Sequence, residues 1–102
     1  MKVKVFQHVD GNFWLEEGER YKFNMTNFEH VATLEPDEGS ELFDVLEGAF
    51  FLTNHIEKPW NQNEGVEAVK LNARSTSVGD VIVVDDAAYV VDRVGFKLIE
   101  EN

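Results

Sequence analysis

Three short apolar runs follow one another between Arg74 and Ile99, and that succession allows little but a β-meander. Val81-Ile82-Val83-Val84 is rich in β-branched residues, Asp85-Asp86 breaks it, residues 89–91 form a second run and residues 94–99 a third. Gly79 and Gly95 stand where these runs begin or kink, positions that suit a positive φ or a bulge.

The same residues carry a family resemblance. Ser75-Thr76-Ser77-Val78-Gly79-Asp80-Val81-Ile82, then Tyr89-Val90-Val91-Asp92, then Gly95-Phe96-Lys97-Leu98-Ile99, resemble the closing signature of YodL-like domains, small modules of phages, plasmids and other mobile elements. Thr76 stands where those domains usually have Leu, and Val90 where they have a second Tyr. The close match spans residues 74–99, and the upstream part agrees in outline. The resemblance implies a fold and a genetic setting; the family has no settled activity, so no catalytic residue follows from it.

Upstream, residues 2–9 alternate, with Val3 and Val5 on one side and Lys2 and Lys4 on the other, which predicts a strand with one solvated face. Asp10-Gly11-Asn12 ends it. Phe13-Trp14-Leu15 is either a partner strand or an aromatic loop. Residues 28–34 alternate again and stop before Pro36, predicting a strand that puts Phe28, His30, Ala32 and Leu34 on the inner face. Leu42, Val45, Leu46, Ala49, Phe50 and Thr53 then recur with the helical period, predicting a helix over about 40–54 that lies across the sheet. Phe43 and Phe51 widen its apolar face. Asp37 or Ser40 is placed to cap it, and His55 suits its carboxyl end. Gly48 in its interior costs about 1 kcal/mol relative to Ala unless close packing requires it. Residues 57–65 read as a loop, and 66–71 as a short edge strand. These elements make one compact α+β domain spanning residues 1–102, a mostly antiparallel sheet with one main helix packed on it.

Composition limits the function. The 102 residues hold 43% apolar and 12% aromatic side chains, enough for a modest core, and 20 acidic against 9 basic residues, a formal charge of −11. Such a charge argues against direct nucleic-acid binding and favours basic partners, nucleic-acid-binding proteins among them. There is no cysteine and no apolar run near the ~20 residues of a membrane span, and the amino terminus has no signal-peptide core, so a cytoplasmic location is expected.

No catalytic constellation is legible. His8, His30 and His55 lack metal-ligand spacing, and neither a metal nor a cofactor is implied. Arg74 beside Ser75-Thr76-Ser77 could serve a phosphate or a nucleophile; without an elbow or a glycine-rich loop the simpler expectation is that these hydroxyls tie down the entry to the next strand. Trp14, Trp60 and Tyr89 are candidate recognition aromatics. Trp60, flanked by Pro59, Asn61 and Asn63, is either an exposed anchor or a lid over the helix end. Glu38, Glu41, Asp44 and Glu47 recur every three residues along one helix flank, either an ordinary solvated face or a row imitating phosphates. The expectations are therefore a non-enzymatic protein-interaction module of a mobile element, binding through Trp60, Asn61, Asn63 and Arg74 or a sheet edge, and alternatively an acidic DNA mimic acting through Glu38, Glu41, Asp44 and Glu47 on a host defence complex. A small hydrolase or nucleotide-binding enzyme built on Arg74 and Ser75-Thr76-Ser77 is a third. Edge-strand pairing into a homodimer is compatible with so apolar a meander.

Overall fold

The computed structural model describes residues 2–9, 28–37, 39–54, 60–63, 65–70 and 73–101; Trp14, Glu38, His55 and Pro59, singled out above, lie outside them. The fold is α+β. Strands β1 (Val3–His8), β2 (Phe28–Leu34), β3 (Val66–Ala68), β4 (Val81–Val84), β5 (Ala87–Val91) and β6 (Phe96–Glu101) form a six-stranded sheet of order β3-β2-β1-β4-β5-β6, with every pairing antiparallel. One α-helix among the described residues, α1 (Leu42–Leu52), packs on one face, and a short 3₁₀ turn spans Trp60–Gln62. The radius of gyration, 12.5 Å, is close to the roughly 13 Å of a folded domain of this length.

β1 is central, with β2 and β4 on its two sides. Val5 lies between Ala32 and Ile82, and these side chains meet Val45, Leu46 and Ala49 of α1 in the main core. The lysine face of β1 is solvated only in part, with Lys2 exposed and Lys4 half-buried. Phe6, on the far side, is buried with Phe28, Val81 and Ala88 in a second, smaller cluster, because a central strand has both faces available for burial.

A bulge corrects the reading of β2. Val5 pairs with Ala32 but Phe6 pairs with His30, so Val31 is an extra residue, and the parity of the strand reverses across it. Val31 and Ala32 both enter the main core, while His30 turns to the far face and stacks on Phe6 with ring centroids 5.1 Å apart. His30 Nε2 donates to the Ala32 carbonyl at 2.9 Å. A second bulge, at Ile99 in β6, similarly brings that residue onto the far-face cluster.

The meander forms as its breaks foretold. β4 and β5 are joined by the two residues Asp85 and Asp86; Asp85 takes the left-handed φ of 53° that a short polar side chain tolerates, and its carboxylate accepts from the Lys2 amide at 3.0 Å, fastening the turn to the head of β1. Gly79 and Gly95 have φ of 93° and 74°. Because Gly95 closes the second turn, β6 starts at Phe96, and Val94 projects from the turn rather than belonging to the strand.

α1 begins without the expected cap. Glu41 is its N-cap residue and makes no side-chain cap bond, while Ser40 Oγ turns back to the Asp37 carbonyl. Its carboxyl end is well finished: the carbonyls of Ala49, Phe50 and Leu52 accept from the side chains of Thr53, Asn54 and Asn63. Val45, Leu46, Ala49 and Thr53 are buried as the stripe predicts, but Phe43 and Phe51 do not widen the buried face; they are 56% and 60% exposed. Nor does Gly48 serve close packing inside the molecule, since a Cβ there would meet nothing within 4 Å. Gly48→Ala is accordingly expected to stabilise the fold by about 0.5–1 kcal/mol, read as a higher urea midpoint. An unchanged or lower midpoint would show that the glycine is needed by the folded chain itself.

Candidate functional site

Arg74, Ser77 and Asp80 are brought together, and with them the end of β1. Asp80 is 0% exposed at the entry to β4. Its carboxylate receives two nearly parallel bonds from the Arg74 guanidinium, Nη1 to Oδ2 at 2.6 Å and Nη2 to Oδ1 at 2.8 Å. The amides of His8 and Ser77 donate to the same two oxygens at 2.9 and 2.8 Å. Arg74 also donates to the carbonyls of His8 and Ser75. Hydrogen bonding to Asp80, outweighing partial burial and helped by the charges of Asp80 and Glu29, holds the guanidinium more firmly protonated than an ordinary arginine. Its stabilising contribution is full below the usual arginine range and lost only as pH rises through the still higher folded value, so it is constant around neutrality.

A second set of bonds continues from this pair to the helix. The Arg74 carbonyl accepts from Gln7 Nε2 and from Trp60 Nε1, both at 2.8 Å. Gln7 also reaches the Thr76 hydroxyl, which donates to Thr53 Oγ1 at 2.8 Å, and Thr53 donates to the Ala49 carbonyl. The segment between Ala73 and Asp80 is thereby tied to β1, α1 and the 3₁₀ turn at once. The tie-down expected of the hydroxyls is present, although Asp80 and Thr76 carry most of it.

This arrangement revises two candidate binding residues. Arg74 has its guanidinium nitrogens committed to Asp80 and to backbone carbonyls, which leaves it poorly placed to receive a phosphate. Ser77 Oγ faces Arg74 Nη1 at 3.4 Å, and a guanidinium donates protons without accepting them, so it supplies no base. Trp60 is 0% exposed, the lid of the two readings; its indole N–H has found a carbonyl, which removes the penalty that would otherwise keep that edge wet. It is not an exposed anchor. Asn63 is used on the Leu52 carbonyl, and Asn61 is half-buried. Tyr89, half-buried, packs against the main core.

An open surface lies on α1. Between the helix and the β5–β6 hairpin runs an open groove of ≈ 1040 Å³. Phe50, Phe51 and Leu52 line it from the helix, Val91 and Phe96 from the sheet, and Val78 from the turn before β4. Phe96 holds its place by edge-to-face contacts with Phe43 and Phe50, at centroid distances of 6.2 and 6.4 Å. Asp44 and Glu47 stand on one rim, Asp92 and Arg93 on the other. A smaller cleft of ≈ 300 Å³ follows the opposite flank of α1, floored by Leu34, Val45 and Ala49 and edged by Glu35 and Asp37. Asp44, Gly48 and Leu52 border both. Glu41, Asp44 and Glu47 are exposed as expected, and among the described residues neither Asp44 nor Glu47 enters an ion pair. The aromatic half of this surface escaped the sequence reading. Its signal was present in Phe43 and Phe51, which fall off the buried stripe of an otherwise amphipathic helix.

Among the described residues no group of three or more His, Asp or Glu side chains is arranged to hold a metal ion, and no helix is long and apolar enough to cross a membrane. No protein-family model matches the chain, and no solved structure matches it. The chain is similar to an uncharacterised protein, R785, of Acanthamoeba polyphaga mimivirus, 24% identical over 104 residues that cover 100% of this chain and 95% of that protein.

Proposed function

We propose that this protein is a non-enzymatic interaction module of a virus or other mobile element, holding a basic protein partner in the groove between α1 and the β5–β6 hairpin and working in the cytoplasm. The observation that carries the reading is the exposure of Phe43 and Phe51 beside an apolar groove with carboxylates on its rim. Two large aromatics left in water on one helix mark a contact surface more often than an idle one. Similarity to an uncharacterised viral protein is compatible with an accessory role, and the resemblance of residues 74–99 to YodL-like domains agrees with the same setting.

The test is affinity capture from host lysate with the native chain and a Phe43→Ser/Phe51→Ser variant. Both positions are exposed, so the fold should change by no more than about 2 kcal/mol, mainly through the lost Phe43–Phe96 contact, which a urea midpoint checks. The expected result is a stoichiometric basic protein retained by the native chain and reduced at least tenfold by the variant; equal retention by both would overturn the reading.

A DNA mimic remains the second reading, supported by the formal charge of −11 and the exposed row Glu41, Asp44, Glu47, with Glu38 outside the described residues. Replacing Glu41, Asp44 and Glu47 by Lys would weaken capture under either reading, but for a mimic DNA would displace the partner and the Phe variant would bind normally.

A further inference from the structure

Among the described residues no packing contact requires Gly48 to be glycine. It sits inside a helix, it adds nothing to packing, and a side chain there would enter open space. It does lie where the two clefts flanking α1 adjoin, with Asp44 one turn before it and Leu52 one turn after. The exposed surface of α1 is therefore a ridge with a notch at its middle, apolar on either side.

Resting on the reading of this surface as a protein-binding site, we propose that its occupant is an amphipathic α-helix of the partner, basic on its flanks, that crosses α1 over Gly48. Packed helices lie about 8–10 Å apart according to the side chains at the crossing, and Gly48 permits the short end of that range. An apolar stripe on such a helix meets the exposed ring of Phe51 and the half-buried Phe96 beside the crossing. Lys or Arg beside the stripe meets Asp44 and Glu47. A second copy of this chain is disfavoured by charge, since each copy brings −11 and the same acidic rim.

The probe is a synthetic helix of about 18 residues with Leu along one stripe and Lys on its flanks, titrated into the ¹⁵N-labelled full chain. Two controls accompany it, one with Glu for Lys and one of the same composition interrupted by Pro. The expected result is saturable binding that moves resonances of α1 and the β5–β6 turn, with no binding of the Glu peptide and at least tenfold weaker binding of the Pro peptide. Gly48→Leu, which keeps a good helix former in open space, should weaken the Lys peptide at least tenfold without lowering the melting temperature. Failure of the Lys peptide to bind, or equal binding to the native chain and Gly48→Leu, overturns the helix occupant. Equal binding of the Pro peptide also overturns it, and if that binding is lost in Phe43→Ser/Phe51→Ser the groove stands as a protein site for an extended segment. Resonance changes confined to β3, or concentration-dependent dimerisation of the native chain through α1, overturn both the occupant and the site.

Discussion

Trp60→Ala is expected to destabilise the fold by about 3–5 kcal/mol, the range for emptying a buried indole site, which is a large part of the roughly 5–15 kcal/mol that holds a domain of this size together. Trp60 is completely buried among residues of the sheet and helix, and its N–H is one of two donors to the Arg74 carbonyl. The substitution therefore opens a cavity and takes one of two partners from a partly buried acceptor. Trp60→Phe separates the two effects. It refills most of the cavity and still removes the hydrogen bond, for an expected loss of about 1–2 kcal/mol. Urea unfolding followed by far-ultraviolet circular dichroism measures both. A loss below about 1 kcal/mol for the alanine variant would mean that Trp60 merely rests on the core.

Asp80→Ala should cost a comparable amount, about 3–5 kcal/mol. The carboxylate accepts four hydrogen bonds, two from Arg74 and one each from the amides of His8 and Ser77. Its removal leaves two backbone N–H groups and a partly buried cation without their acceptor. The half-exposed side of Arg74 can recover water, which argues for the lower part of the range. Because Asp80 and Trp60 act on the same arginine, one through its guanidinium and the other through its carbonyl, the double variant Trp60→Ala/Asp80→Ala should lose less than the sum of the single losses. Strict additivity would show that the segment from Ala73 to Asp80 is held at two independent points.

Local patterns carried much of the fold. The meander was legible because turn chemistry at Asp85-Asp86 and Gly95 acts over a few residues, and the helix because its period survives wherever the helix is placed. The strand at residues 28–34 was legible in extent but not in facing. Alternation assumes an unbroken ladder, and the bulge at Val31 is a property of the pairing between β1 and β2. The same limit applies to Phe43 and Phe51. A period shows that a side chain is apolar and on which side of its helix it falls, without showing whether the sheet extends far enough to cover it.

By itself the sequence determined the elements, their order and the class α+β, together with the charge that sets which partners are attractive, since these depend on neighbours along the chain or on sums over it. Tertiary structure decided the rest: that Trp60 is sealed inside, that Arg74 serves Asp80 and not a ligand, and that an aromatic groove beside α1 stays open. His8 meets Arg74 and Asp80 across 66 and 72 positions of chain. Whether a polar side chain is a binding group or a structural one turns on whether such a distant partner arrives to satisfy it, and burial turns on which surface lands upon it. Neither is a local property.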